Sequence, residues 1–173
     1  CLRHHYKASA EKKQSNTYQL RGEVLGDFKK NVYLWRELCM AVLITGGAGY
    51  IGSHTVLYLQ KKKEDVIVLD HLGKGHREAV RGTVFYQGSL QDGVLLDRIF
   101  TTHEIDAVIH FAANSLVGES VHHPLDYYEN NVVGTYHLVK KMVEHQVKRI
   151  VFSSTAATYG NPVSIPIQED DPT

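Results

Sequence analysis

Gly46, Gly49 and Gly52 are spaced by three; they follow the short apolar run Ala41 to Ile44 and open a helical pattern. Gly47, Gly49 and Gly52 also satisfy the G-x-G-x-x-G spacing. A glycine turn between strand and helix does chemistry through its backbone. One glycine makes the tight turn, one lets the chain approach a pyrophosphate, and one lets helix pack on strand. Phosphates then sit at the helix N-terminus, where unpaired N–H groups and the dipole favour an anion. A second buried run, Val66 to Leu69, ends in Asp70, eighteen positions after Gly52. A carboxylate there accepts from both hydroxyls of an adenosine ribose and repels a 2′-phosphate, which favours NAD over NADP. The plainer readings are a structural turn for the glycines and a capping loop residue for Asp70.

Two later segments could add side chains to such a site. Phe111 to Ser120 follows an apolar run and is rich in small residues, which would let backbone approach a ligand or would only pack a tight loop. Ser153, Ser154 and Thr155 put three hydroxyls at another strand end, within reach of a bound sugar, although such residues are also ordinary in turns.

The elements that must position these groups alternate. Strands are expected at 41–45, 65–70, 83–87, 106–111 and 148–154, with helices at 50–62, 91–102 and 124–145. Repeated β-α units with buried strands imply an α/β fold with a doubly wound parallel sheet of Rossmann type and ligands at the carboxyl ends of its strands. The first 39 residues differ. Apolar positions Val24, Phe28, Val32 and Trp35 suggest an amphipathic helix over 23–38, and the segment carries eight Lys/Arg against four Asp/Glu. Those acids argue against a mitochondrial presequence. Because Met40 stands directly before the first strand, 1–39 is expected to be a non-native or upstream-translated extension, and 40–173 the folded domain.

Bulk properties narrow the class. The chain has 173 residues, no formal net charge, 43% hydrophobic and 22% charged residues, an ordinary globular composition. Nothing in the charge points to nucleic acid or an anionic membrane. Cys1 and Cys39 give no disulfide framework and suit a reducing cytoplasm. His4-His5 and His122-His123 lack metal-site spacing, so no metal is expected.

Longer blocks carry a resemblance. Thr45 to His54, His110-Phe111-Ala112-Ala113, Val117-Gly118-Glu119-Ser120, Pro124 to Val132 with its Tyr-Tyr-x-Asn-Asn, and Phe152 to Gly160 resemble the extended short-chain dehydrogenase/reductase family, within it the sugar-nucleotide 4-epimerase branch. The resemblance runs from Met40 to Thr173. It implies interconversion of UDP-glucose and UDP-galactose through a transient 4-keto sugar, with NAD taking and returning the C4 hydride. By that resemblance the backbone of Gly46, Gly49, Tyr50, Ile51 and Gly52 cradles the pyrophosphate. Asp70 holds the adenosine ribose, Ser89 stands where an Asp commonly contacts the adenine amino group, and His71, Leu90, Phe111, Ala112, Ala113, Asn114, Ser115 and Asn130 line the cofactor. Thr155 takes the place of the Ser or Thr that hydrogen-bonds the reacting C4 hydroxyl. Partners would be a UDP-hexose and, in the full-length parent, a second copy pairing through the long helix.

The chain also departs from the family. His71 stands for the usual Asn, and Ser89 for a common Asp. Helix 50–62 ends in Lys61-Lys62-Lys63 without the expected glycine, where a left-handed cap costs roughly 1 kcal/mol. The family base, a Tyr-x-x-x-Lys, lies beyond the Ser/Thr block. Tyr58 to Lys62 and Tyr136 to Lys140 match the string but precede the fifth strand, so neither is expected at the site. The expectation is a C-terminally truncated chain without its catalytic dyad, inactive alone and prone to aggregate through the apolar face of 124–145. A 4,6-dehydratase is the nearest rival. It would need an Asp-Glu pair after Thr155, where Ala156 and Ala157 stand. A non-catalytic NAD-binding protein is the rival from another class.

Overall fold

The computed structural model describes residues 40–173 in full, together with the backbone of two short segments before them. Those segments, β1 (Tyr18–Leu20) and β2 (Glu23–Leu25), pair antiparallel. The helix expected over 23–38 is therefore not formed at its first three residues, where the backbone is extended. Its remainder, like the rest of 1–39, lies outside the described residues.

From Met40 the chain builds a parallel sheet of β3 (Ala41–Thr45), β4 (Asp65–Asp70), β5 (Val84–Gln87), β6 (Ile105–His110) and β7 (Arg149–Phe152), in the order β5-β4-β3-β6-β7. The chain starts in the middle, winds outward one way and then the other, so the order reverses between β3 and β6. That switch point is where an open α/β sheet leaves a crevice beyond its carboxyl edge. Helices α1 (Tyr50–Lys61), α2 (Gly93–Thr102) and the long segment from 124 onward supply the crossovers. Strands covered on both faces read as unbroken apolar runs, and Val66, Ile67, Val68 and Leu69 of β4 are all buried.

Two cores follow from the two faces. On one side Leu43, Leu69 and Val108 pack with Leu96, Ile99, Leu138 and Met142; on the other Ile44, Val66 and Val68 pack with Val56 and Val80. Asp92 caps α2 by accepting from the Leu95 amide at 2.9 Å. Lys141 bridges Asp97 at 2.8 Å and Glu144 at 2.7 Å, tying α2 to the long helix.

That helix is not uniform. It runs as α4 (Pro124–Tyr127), a π-helical turn (Tyr128–Val133) and α5 (Gly134–Glu144). A further short helix, α3 (Val117–His122), occupies sequence expected to be loop. Its single turn and a half was too short to show a period.

The C-terminus of α1 takes the costly form foreseen from Lys61-Lys62-Lys63. Lys63 adopts φ +65°, with its amide on the Gln60 carbonyl at 2.9 Å and the Glu64 amide on Leu59 at 3.1 Å, a Schellman closure without glycine. Lys63→Gly is expected to stabilise the protein by about 1 kcal/mol, seen as a higher urea midpoint at constant slope. An unchanged midpoint would contradict the left-handed cap.

The outward face of the long helix carries Leu125, Tyr128, Val132, Tyr136, Val139 and Val143, all exposed at intervals of three and four. Val151 and Phe152 of the edge strand β7 are exposed too, by 62% and 57%. An open strand edge and an apolar stripe each invite self-association. The 173-residue chain is expected to scatter light increasingly with concentration, and Val151→Lys to reduce it. A sharp two-state melt independent of concentration would refute this.

Candidate functional site

Among the described residues, three polar side chains are buried, Thr45, Asp70 and His110, and each is the last residue of its strand. Neighbouring strands β4, β3 and β6 thus direct their only buried polarity to the carboxyl edge of the sheet, at the switch point. Every buried side-chain nitrogen and oxygen there has a partner.

The glycine turn leaves β3 at this edge. Gly46 adopts φ +71°, and a Cβ on it would lie 2.5 Å from the Ala112 amide nitrogen. A Cβ on Gly52 would lie 2.3 Å from the Gly46 carbonyl oxygen, so α1 can start only against a bare backbone. Gly49 is different. Its Cβ would meet nothing nearer than the Gly46 oxygen at 3.4 Å, so no protein atom demands a glycine there. Gly49 is also the N-cap of α1, and no side chain caps the helix. The first-turn N–H groups therefore face the cleft with the positive end of the dipole behind them. An open cradle and uncapped donors fit a bound pyrophosphate.

Asp70 makes the capping contacts that its plainer reading expected. Its Oδ2 accepts from the Ala48 amide at 2.9 Å and its Oδ1 from the Leu72 amide at 2.8 Å, so the carboxylate clamps the glycine turn to the loop after β4. Each oxygen keeps a lone pair for a hydroxyl, since a carboxylate has about four acceptor sites. The structure thus unites the capping reading of Asp70 with a position beside the cleft.

Two adjoining clefts open along this edge. The larger, of about 620 Å³, brings together Gly46, Gly49, Tyr50, Ile51, Gly52, the segment Phe111, Ala112, Ala113, Asn114, Ser115, and Thr155. The smaller, of about 100 Å³, gathers Asp70, His71, Leu90 and Asn130, and shares Gly46 and Gly49 with the first. Ser89 lines neither. Its hydroxyl accepts from the Gln91 amide at 3.2 Å and shapes the turn before α2. His71 accepts from the Gly73 amide through Nδ1 at 2.8 Å. Thr155 caps a 3-10 turn, its oxygen accepting from the Ala157 amide at 3.2 Å, which leaves the hydroxyl proton free to donate into the cleft.

The two Tyr-x-x-x-Lys strings lie off both clefts, as expected. Lys62 instead rests over the Tyr58 ring, 5.6 Å from its centroid, one helical turn on. Tyr136 packs edge-on against His137.

Sequence reasoning gave no role to several residues the structure brings here. Lys74 lines both clefts and its Nζ lies 2.9 Å from Glu119 Oε2, which is also 2.7 Å from the Tyr127 hydroxyl. Asn131 holds the loop after β6 by both ends of its amide. Its Oδ1 accepts from the Asn114 amide at 2.8 Å and its Nδ2 donates to the Asn114 carbonyl at 2.9 Å. Adjacent asparagines inside a helix are poor helix formers, and that cost was the available signal.

His110, 2% exposed, lies between two hydroxyls: Nδ1 is 2.6 Å from Thr45 Oγ1 and Nε2 is 2.9 Å from Thr135 Oγ1. The single Thr135 proton goes to the Asn131 carbonyl at 2.6 Å, so Thr135 must accept from Nε2–H. Nδ1 is then the acceptor of the Thr45 proton. Burial lowers the pKa of His110 to about 4, so the ring is neutral at physiological pH.

Comparison with known proteins places this geometry. The model of the NAD dependent epimerase/dehydratase family matches residues 42–173. A UDP-glucose 4-epimerase of Halalkalibacterium halodurans is 70% identical over 134 residues, covering 78% of this chain and 40% of that protein. One from Lactobacillus helveticus is 55% identical, covering 77% and 41%. Among solved structures, UDP-glucose 4-epimerase from Brucella ovis in complex with NAD has a TM-score of 0.74 at 42% identity, covering 77% of this chain and 41% of that one. The Bifidobacterium longum enzyme with NAD+ and UDP has a TM-score of 0.73 at 42% identity, covering 78% and 42%. The chain spans about 40% of the length of the curated relatives it matches. With the match running over residues 42–173 and so taking in the carboxyl-edge clefts, the chain belongs to the NAD dependent epimerase/dehydratase family.

Proposed function

We propose that these residues form the dinucleotide half of a UDP-hexose 4-epimerase, binding NAD and interconverting UDP-glucose and UDP-galactose as part of a protein of its relatives' length. The observation that carries the reading is the uncapped start of α1 between Asp70 on one side and Thr155 on the other, joined by adjoining clefts. NAD, once bound, supplies the acceptor and donor of the C4 hydride. The chain's own groups bind and orient. Gly46 through Gly52 would hold the pyrophosphate, and Asp70 with His71 the adenosine ribose. Leu90 and Asn130 would lie along the adenosine side, and Phe111 to Ser115 along the nicotinamide side, while Thr155 would donate toward the sugar hydroxyl. Ser89 would act on the adenine only through the turn it shapes.

The dehydratase alternative lacks its carboxylates, since Ala156 and Ala157 follow Thr155. A homodimer of the longer protein is supported by the exposed apolar stripe of the long helix. A cytoplasmic place is supported by the cysteine usage; among the described residues no helix is long and apolar enough to cross a membrane.

Calorimetry with the 173-residue chain tests the reading. NAD+ is expected to bind saturably. NADP+ should bind at least roughly tenfold more weakly, because its 2′-phosphate would meet the Asp70 carboxylate. Turnover of UDP-galactose by this chain alone is not expected, since both Tyr-x-x-x-Lys strings lie off the clefts. Equal affinity for the two dinucleotides would remove Asp70 from the ribose site. No binding by a chain with a folded circular-dichroism spectrum would overturn the proposal.

A further inference from the structure

One buried side chain at the carboxyl edge, hydrogen-bonded through both ring nitrogens, has no part in the proposed chemistry. His110 ends β6, and its register partner across the sheet is Thr45, the residue immediately before the glycine turn. From Thr45 a continuous line of hydrogen bonds passes through the His110 ring to Thr135, on to the Asn131 carbonyl in the π turn, and through the Asn131 side chain to both backbone groups of Asn114. It begins at the base of the glycine turn and ends on the opposite lip of the larger cleft. Each member is committed. Thr135 spends its proton on Asn131 and a lone pair on His110, and His110 uses one nitrogen in each direction. Every member has its partner, the Thr45–His110 end buried and the Thr135–Asn131–Asn114 end half-buried, and breaking one member orphans the next.

The π turn makes the line possible. One extra residue in that turn re-aims its side chains, and such turns occur often at functional sites. Here the Asn131 amide is presented to the Asn114 loop while its carbonyl meets Thr135. We infer that His110 is a positioning residue. Through Thr135 and Asn131 it fixes the Asn114 loop against the glycine turn, so the cleft is set to dinucleotide width before any ligand arrives. This rests on the NAD reading above and deepens it. No contact between His110 and the ligand is required.

The test uses the 173-residue chain, with NAD+ as probe and amide hydrogen exchange at Asn114 as a second readout. Thr135→Val keeps the shape of the side chain and deletes the hydroxyl. It is expected to weaken NAD+ binding roughly tenfold and to speed exchange of the Asn114 amide. Thr135→Ser, which restores the hydroxyl, should retain wild-type values of both. A lower melting temperature in Thr135→Val with wild-type affinity and Asn114 protection would show a purely structural role and overturn the inference. Should the wild-type chain bind no NAD+, the cofactor reading fails and the exchange alone decides; unaltered protection in Thr135→Val then overturns the inference. If Thr135→Val does not fold, Asn131→Asp replaces the donor to the Asn114 carbonyl with an acceptor. Weaker binding and faster Asn114 exchange support the inference, and wild-type values overturn it.

Discussion

Gly46→Ala should unfold or severely weaken the domain, whereas Gly49→Ala, three residues on, should leave it folded and unable to bind NAD+ well. At Gly46 two costs coincide. A side chain at φ +71° costs roughly 1–2 kcal/mol, and a Cβ 2.5 Å from the Ala112 nitrogen forces backbone apart for about another 1–3 kcal/mol. A loss of about 3 kcal/mol or more is a large share of a small domain's stability. Gly52→Ala should behave similarly through its 2.3 Å approach to the Gly46 oxygen. At Gly49 the backbone is extended and the nearest atom to a Cβ is 3.4 Å away, so folding should lose less than about 1 kcal/mol, the scale of an N-cap change. The added methyl would project into the cradle at the start of α1 and weaken NAD+ at least roughly tenfold. Chemical denaturation and calorimetry on the three variants separate the effects. Equal loss of stability at Gly46 and Gly49 would mean that the loop's shape, and not a ligand, requires all the glycines.

Acidification should destabilise the protein through His110 well before the exposed carboxylates dominate. In the unfolded chain the imidazole takes a proton near pH 6.5; in the folded chain burial holds its pKa to about 4. The unfolded state therefore binds more protons throughout that window, and stability falls as pH falls. It is intact above about pH 6.5 and fully lost below about pH 4. The contribution is about 3 kcal/mol, at about 1.4 kcal/mol per pKa unit. His110→Gln should be less stable at pH 7 because neither hydroxyl is matched as well. Its stability should nevertheless decline less steeply between pH 6.5 and 4. Urea titrations at several pH values compare the two slopes directly. Parallel slopes would mean that the ring is hydrated and protonates freely in the fold.

The sequence by itself determined the sheet. Ala41 to Thr45 and Asp65 to Asp70 begin and end where expected, because a strand covered on both faces reads as an apolar run, here Ala41 to Ile44 and Val66 to Leu69, and Gly46, Glu64 and His71 beyond the ends do not extend it. The glycine spacing was legible because turn geometry and close backbone approach admit only glycine at Gly46 and Gly52, and Asp70 because a carboxylate closing an apolar run stands out. Tertiary structure alone decided the rest. That Asp70 clamps Ala48 and Leu72 depends on how two loops from different strands approach each other. Placement of His110 between Thr45 and Thr135 joins residues 65 and 25 positions apart, a pairing no local period encodes. The π turn that aims Asn130 and Asn131 adds one residue to a helix without changing its apolar pattern, so it was invisible in the spacing. Local periodicity records which face of an element is buried. The partners of a buried polar atom are fixed only when the elements pack, because burial without a partner costs more than any single hydrogen bond returns.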